Sequence, residues 1–344
     1  MTSTSAERVL HVVESFGGGT LSALRQYMAS TPDLEHFVIR RERDGEFSPA
    51  DEDKFVLRTF DLPTNPLHAM RSIRRAAREV EPDVIHAHSS IGGALARLSL
   101  KSSRSRRIVY TPHCFAFERQ DISRLRRAVF RAIEWTLAIN THTLAGCSHR
   151  ESDVARSWVT CRRSVYVPNV ATVRPSNDGG QIVDVVAVGR LSPQKDPAFF
   201  ADVVQRLSEL SPGATWRWLG DGDRTARRQL ESRGVEVSGW LTPAGVQRQL
   251  AAARVYVHCA RWEGFPMTIL EAHISRTPIV ARQIPALSGI GPSLVGTTAA
   301  EIAEKVASVL ASPAAASSNL LAWDRHLAEN TRTTQRERLL MAYG

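Results

Sequence analysis

Several features are missing from the 344 residues. No run of about eighteen apolar residues occurs, so no membrane-spanning helix is expected. Four cysteines, Cys114, Cys147, Cys161 and Cys259, are scattered without a CxxC pair. That spacing argues against a zinc site or a disulfide framework and fits a reducing compartment. The opening MTSTSAERVLHVVESF has no basic leader before an apolar core, so no secretory signal is expected. Neither GxGxxG nor a P-loop occurs, which leaves dinucleotide and Walker-type sites unsupported. Low-complexity tracts and short repeats are absent too.

What is present is an ordinary globular composition, 43% hydrophobic, with a net charge of +9. The length suggests two domains. The charge is uneven: residues 1–175 hold 26 basic against 19 acidic side chains, and residues 176–344 hold 18 against 16. Arg71, Arg74, Arg75 and Arg78 fall on one helical face. Arg119, Arg124, Arg126, Arg127 and Arg131 form a second cluster. Each reads either as a solvated face or as a contact for an anionic lipid surface, to which each basic residue adds about 1 kcal/mol. No nucleic-acid module accompanies the charge.

Along the chain, strand-like and helix-like segments alternate. RVLHVVESF, DVIHAH, RIVYTPH and HTLAGCS read as strands, with amphipathic helices between them. RPSNDGGQ interrupts the pattern as the expected linker. IVDVVAVGRL then restarts it, followed by ATWRWLGDGD, VEVSGWL, ARVYVHCA and TPIVAR. The alternation predicts parallel strands with helical crossovers, and hence two doubly wound α/β domains in series facing a cleft. The expected division is 1–174, 175–320 and a tail, 321–344, that crosses back. Ligands of such sheets bind beyond the carboxyl ends of the strands.

Those ends hold the candidate residues. Gly17, Gly18 and Gly19 follow the first strand, where bare backbone and a helix start can meet a phosphate, or form only a tight turn. Arg190 and Lys195 follow the first strand of the second half, a place for a diphosphate. Gly220, Asp221 and Gly222 form a turn after another strand. His86 and His88 share one strand face, half of a metal site with no third ligand in view. His113 ends a further strand. In WEGFPMTILEAH, Glu263 and Glu271 lie eight positions apart. They are either a site or an ordinary helix start, in which Thr268 and Glu271 form a capping box and Glu263 is solvated.

In order, GRLSPQK, LGDGD, EGFPMTILEA and PIVAR, preceded by GGG, DVIHAH, TPH and VPN, resemble the retaining glycosyltransferases of the GT-B fold, family 4. The likeness spans roughly residues 8–310, and the tail resembles that family's crossover helix. It implies a nucleotide-sugar donor, UDP- or GDP-linked, on the second domain, and a glycan or lipid-linked acceptor on the first. Arg190 and Lys195 would neutralise the diphosphate. Glu263 would face the transferred sugar, and Glu271 would accept from the ribose hydroxyls. Amides around Gly264, Phe265 and Met267 would lie near the phosphates. Gly18 and Gly19 would approach the donor from the first domain, and His113 would lie near the reacting sugar. No metal and no cofactor beyond the donor is implied. The expected setting is cytoplasmic, peripheral to the inner face of the plasma membrane. A nucleotide-sugar epimerase and a non-catalytic binding subunit are the alternatives. Asp196, where glycine is frequent in the family, and Asp223, where proline is frequent, depart from the pattern. QIPALSGIGPS lacks the usual acidic residue.

Overall fold

A computed structural model describes residues 7–16, 18–42, 54–171 and 182–344. Gly17 and the expected linker at 174–181 lie outside the described residues. The chain forms two compact units, 1–170 with 330–344, and 171–329. The chain thus returns to the first unit at Asn330, later than the expected 321.

The strands of the first unit are β1 (Arg8–Phe16), β2 (Glu35–Glu42), β3 (Val56–Asp61), β4 (Val84–His88), β5 (Arg107–Thr111), β6 (Thr143–Gly146) and β7 (Ser164–Tyr166). Those of the second are β8 (Val183–Val188), β9 (Trp216–Leu219), β10 (Glu236–Val237), β11 (Ala253–His258), β12 (Ile279–Arg282) and β13 (Val295–Gly296). The helices are α1 (Gly18–Ser30), α2 (Pro66–Val80), α3 (Ser90–Ser99), α4 (Arg124–Leu137), α5 (His149–Arg156), α6 (Pro197–Leu210), α7 (Arg224–Glu231), α8 (Pro243–Ala252), α9 (Met267–Ile274), α10 (Ala299–Ala311), α11 (Pro313–His326) and α12 (Arg332–Tyr343).

Both sheets are parallel. Their orders are β3-β2-β1-β4-β5-β6-β7 and β10-β9-β8-β11-β12-β13. Val, Ile and Leu dominate the central strands because both sheet faces are covered; every residue of β4 is buried. Ile39, Ile85 and Tyr110 pack with Ile73 of α2 in one core layer of the first unit. Val185, Trp218 and Val255 pack with Phe200 of α6 in the second unit. The strand order reverses between β1 and β4, and between β8 and β11. In doubly wound sheets the binding crevice opens at this reversal, outside the carboxyl ends of the strands.

The tail, expected to be helical throughout, is two helices. It breaks at Leu327, whose amide still bonds Trp323 O, and restarts at the Thr331 N-cap. α11 stays with the second unit, where Trp323 Nε1 donates to Ile279 O at 2.9 Å. α12 packs on the first unit through Leu339, Ala342 and Tyr343, all fully buried.

Candidate functional site

The second reversal brings together residues far apart in sequence. Lys195 lies after β8 and Glu263 after β11, and the Lys195 ammonium forms an ion pair with Glu263 Oε1. Gln194 Nε2 donates to Glu263 Oε2 at 3.2 Å and to Trp262 O at 3.1 Å, which fixes the carboxylate from its other side. Glu263 is therefore a held acid, not a solvated one. Its side chain is 13% exposed and that of Lys195 22%, so both can still meet a ligand.

α9 follows this loop. Its N-cap is Pro266, and no side chain caps its first turn. Glu271 stands at the fifth position of the helix, two residues too late for a capping box. Thr268, the other half of that reading, bonds Tyr256 OH through Oγ1 at 2.6 Å. Burial raises the Glu271 carboxyl above its ordinary range, and the Lys195 ammonium pulls it back down. Lys195 thus carries charge toward both glutamates of WEGFPMTILEAH. Gly264 is buried, while Phe265 and Met267 pack partly against the core beneath α9. The uncapped amides at Met267 lie beside them, a polarity that favours an anion.

Arg190 lies two residues beyond β8 and is exposed. Its neighbour Leu191 bridges to Gly222 across the strand ends. The turn at 220–222 needs glycine for contact reasons. A Cβ on Gly220 would stand 2.3 Å from Gly189 O, and one on Gly222 would stand 2.6 Å from Leu191 O. Both glycines also have φ in the left-handed half, +136° and +152°. The turn therefore lets the ends of β8 and β9 touch, which sets the loop carrying Arg190 and Lys195.

Two of the departures from the family pattern have structural reasons. Asp196 has φ +51°, a conformation natural to glycine that Asp tolerates. It also caps α6 by accepting from Phe199 N and pairs with Arg282 Nη1 at 2.6 Å. Asp223 caps α7, accepting from Ala226 N at 2.8 Å.

Tyr256 and His258 did not stand out in the sequence. Tyr256 OH lies 2.9 Å from His258 Nδ1. His258 Nε2 is buried without a hydrogen-bond partner among the described residues. Burial, and then the Lys195 charge, hold this imidazole well below its ordinary value. The period-two spacing of Tyr256 and His258 on one strand was the available signal.

The remaining candidates belong to the first unit. Gly18, with φ +54°, opens α1, and a Cβ there would meet nothing within 4 Å, so its backbone conformation rather than crowding calls for glycine. Gly19 is exposed beside it. His113 lies two residues beyond β5 in the left-handed region, φ +51°, and Cys114 follows at φ +93°. Glu151 of α5 fixes this bend, accepting from Cys114 N at 2.7 Å and from Cys147 N at 2.8 Å. Burial raises the Glu151 carboxyl to about 7 and pushes His113 down to about 4. The third histidine that the sequence did not show is His11 on β1. One ring nitrogen from each of His11, His86 and His88 lies within 4.8 Å of the others.

Residues 24–174 match the family described as Glycosyltransferase Family 4, and residues 183–312 match Glycosyl transferases group 1. A Klebsiella pneumoniae protein, described as an uncharacterized 41.2 kDa protein in cps region, is 23% identical over 81% of this chain and 82% of its own. The UDP-Gal:alpha-D-GlcNAc-diphosphoundecaprenol alpha-1,3-galactosyltransferase of Escherichia coli is 26% identical over 66% of this chain and 67% of its own. HepE of Anabaena, solved in complex with UDP, has a TM-score of 0.75 at 16% identity, covering 97% of this chain and 98% of that one. At that identity the last likeness speaks to the fold alone.

Proposed function

We propose that this chain, which belongs to the family 4 glycosyltransferases (glycosyl transferases group 1) of the GT-B fold, moves a sugar from a nucleoside-diphosphate donor to a lipid-linked glycan of the cell envelope, with retention of anomeric configuration. The observation that carries the reading is the Lys195–Glu263 pair at the β8/β11 reversal, with Glu271 one helix turn beyond. The E. coli relative is named for UDP-Gal and a diphosphoundecaprenol-linked acceptor, and the Klebsiella relative for the cps region. The E. coli name supports a UDP-linked donor and a lipid-linked glycan acceptor, and the Klebsiella name supports a place among cps-region proteins.

The bond that breaks joins the anomeric carbon to a diphosphate oxygen. The new bond to the acceptor oxygen forms on the same face, and the acceptor hydroxyl proton leaves with the departing diphosphate. Negative charge grows on that diphosphate as the sugar becomes oxocarbenium-like. The Lys195 ammonium has three N–H donors and can keep Glu263 while taking a phosphate oxygen. Arg190 and the uncapped amides at the start of α9 add to the same field. Groups fixed in place before the charge develops stabilise the transition state selectively. Glu263 faces the transferred sugar and Glu271 the ribose hydroxyls. Protein cations do the electrostatic work in this scheme, so turnover persists in EDTA; a strict metal requirement would refute it.

A thermal-shift series with UDP, GDP, ADP and their sugars tests the donor. A ligand that binds the folded state raises stability by RT ln(1 + [L]/Kd). UDP and a UDP-sugar should shift the melting temperature most. A shift with none of the nucleotides would defeat the transfer reading and favour a non-catalytic subunit.

A further inference from the structure

The histidines of the first unit form one row. His36 is on β2, His11 on β1, His88 at the end of β4 and His113 just beyond β5, and these four strands are successive neighbours in the sheet. His36 lies opposite Val9, two residues before His11. His11 lies opposite His86, two residues before His88, and His88 lies opposite Thr111, two residues before His113. Steps of two keep His36, His11 and His88 on one sheet face, and His113 meets His88 from the bend just beyond β5, so the row climbs diagonally toward the carboxyl ends.

Consecutive rings are joined with a constant polarity. His36 Nδ1 lies 3.0 Å from His11 Nε2, His11 Nδ1 lies 3.1 Å from His88 Nε2, and His88 Nδ1 lies 3.0 Å from His113 Nε2. His36, His11 and His88 are at most 1% exposed. Their burial disfavours the charged form and keeps each imidazole neutral. A neutral imidazole has one donor nitrogen and one acceptor nitrogen.

One end of the row is fixed by a group that cannot donate. His36 Nε2 lies 2.9 Å from Thr31 O, a carbonyl. It also lies 3.2 Å from Thr31 Oγ1, whose own hydrogen goes to Tyr27 O at 2.9 Å. His36 must therefore carry its hydrogen on Nε2 and leave Nδ1 bare. His11 Nε2 then donates to that nitrogen, which leaves His11 Nδ1 bare. The same exclusion passes to His88 and ends on His113.

We propose that the Thr31 carbonyl, acting through His36, His11 and His88, fixes His113 as the Nε2–H tautomer, so that its bare Nδ1 accepts a hydrogen bond from a hydroxyl of the sugar substrate. The tautomer follows from geometry alone; only the sugar contact rests on the proposed function. His36, His11 and His88 are positioning residues in this account. The row is not a proton channel, because its far end is a carbonyl that cannot carry a proton onward. It is not a metal centre either. Both ring nitrogens of His11 and His88 are taken up within the row, and those of His86 are taken by Tyr343 OH and Thr111 Oγ1, each at 2.9 Å.

Nitrogen-15 NMR of the full chain, labelled at histidine, tests this directly. His11, His36, His88 and His113 should each show a protonated Nε2 and a bare Nδ1, unchanged by EDTA. An Nδ1–H signal at any of the four overturns the polarity, and a metal-bound signal that EDTA removes replaces the row with a metal centre. In His36→Phe, the His11 Nε2–H loses its acceptor and the row is free to reverse. His113 should then acquire an Nδ1–H population. A wholly Nε2–H His113 in that folded variant would refute transmission from Thr31. If the variant does not fold, the wild-type pattern still decides the polarity. Adding the nucleotide sugar that stabilises the protein should move the His113 Nδ1 resonance; an unmoved resonance overturns the sugar contact and leaves the tautomer assignment standing.

Discussion

Lys195 is the residue on which the second unit's charges converge. It pairs with Glu263 and acts on both Glu271 and His258. Lys195→Ala should lower turnover about 10²–10³-fold, the usual cost of removing one fixed stabilising donor. Steady-state transfer rates measure it, and circular dichroism should show an intact fold. Full activity would remove Lys195 from the site. Glu263→Ala should cost at least about tenfold by the same logic of differential stabilisation.

The buried imidazoles also set a stability profile. His11, His36, His86, His88, His113 and His258 are all held below the ordinary value of 6.5, chiefly by burial. Above about pH 6.5 both folded and unfolded states are neutral at these positions and nothing is lost. As pH falls through 6.5 the unfolded chain takes up protons that the fold refuses, and stability falls until the folded values are reached, about 4 for His113. Glu151 and Glu271, raised by burial, run the other way: they favour the fold at low pH and lose that contribution as pH rises past 4.5. With His142 also lowered and Glu118 also raised by burial, seven histidines against three carboxyls decide the sign. The urea midpoint should drop between pH 7 and pH 5, and a rise would refute the neutral row.

At the scale of elements, the two basic clusters separate. On α2, Arg75 pairs with Glu79 and Arg74 donates to Ser99 O, the pattern of an ordinary solvated face. α4 is different. Glu134 anchors its inner side, taking Arg97 Nη2 at 2.8 Å and Tyr110 OH at 2.8 Å. The opposite side presents Leu125, Val129 and Ile133, which are 74%, 49% and 43% exposed. They are four residues apart, one stripe of a helix, with Arg124, Arg126 and Arg131 exposed around them. An apolar stripe ringed by arginine suits an anionic bilayer surface and a lipid-linked acceptor. The triple variant Leu125→Asp, Val129→Asp, Ile133→Asp should lose sedimentation with phosphatidylglycerol vesicles. Charge reversal at Arg71, Arg74, Arg75 and Arg78 should have the smaller effect. Equal binding by the triple variant would leave α4 as a bare surface.

At the scale of the whole molecule, the last helix belongs to the first unit although residues 171–329 intervene. Gln335 Nε2 donates to Pro168 O, Ser30 Oγ donates to Gln335 Oε1, and Arg336 pairs with Asp33. Tyr343 fills a fully buried position and meets His86 through its hydroxyl. Tyr343→Ala should cost about 3–5 kcal/mol, the range for emptying a large aromatic site. Calorimetry should show the transition of the first unit shifted down and that of the second unit unmoved. Equal shifts in both would mean that the units melt as one.

Much of this was legible in the residues themselves. The alternation of β-branched runs with amphipathic helices specified parallel, doubly wound sheets, because a strand buried on both faces must be apolar throughout and its crossover must be long. The ordered motifs placed Lys195 and Glu263 beyond strand ends and Glu271 in the helix that follows. Sequence alone could not choose between a capping glutamate and a site glutamate in WEGFPMTILEAH, since Thr268-x-x-Glu271 satisfies both patterns. The start of α9 at Met267 removes the capping reading, and that start follows from how the loop after β11 packs. Nor could spacing reveal the histidine row. His11, His36, His88 and His113 are separated by tens of residues, and only strand order and register set them side by side. Local pattern is written in neighbours along the chain, whereas tautomers, ion pairs and burial depend on neighbours across the sheet.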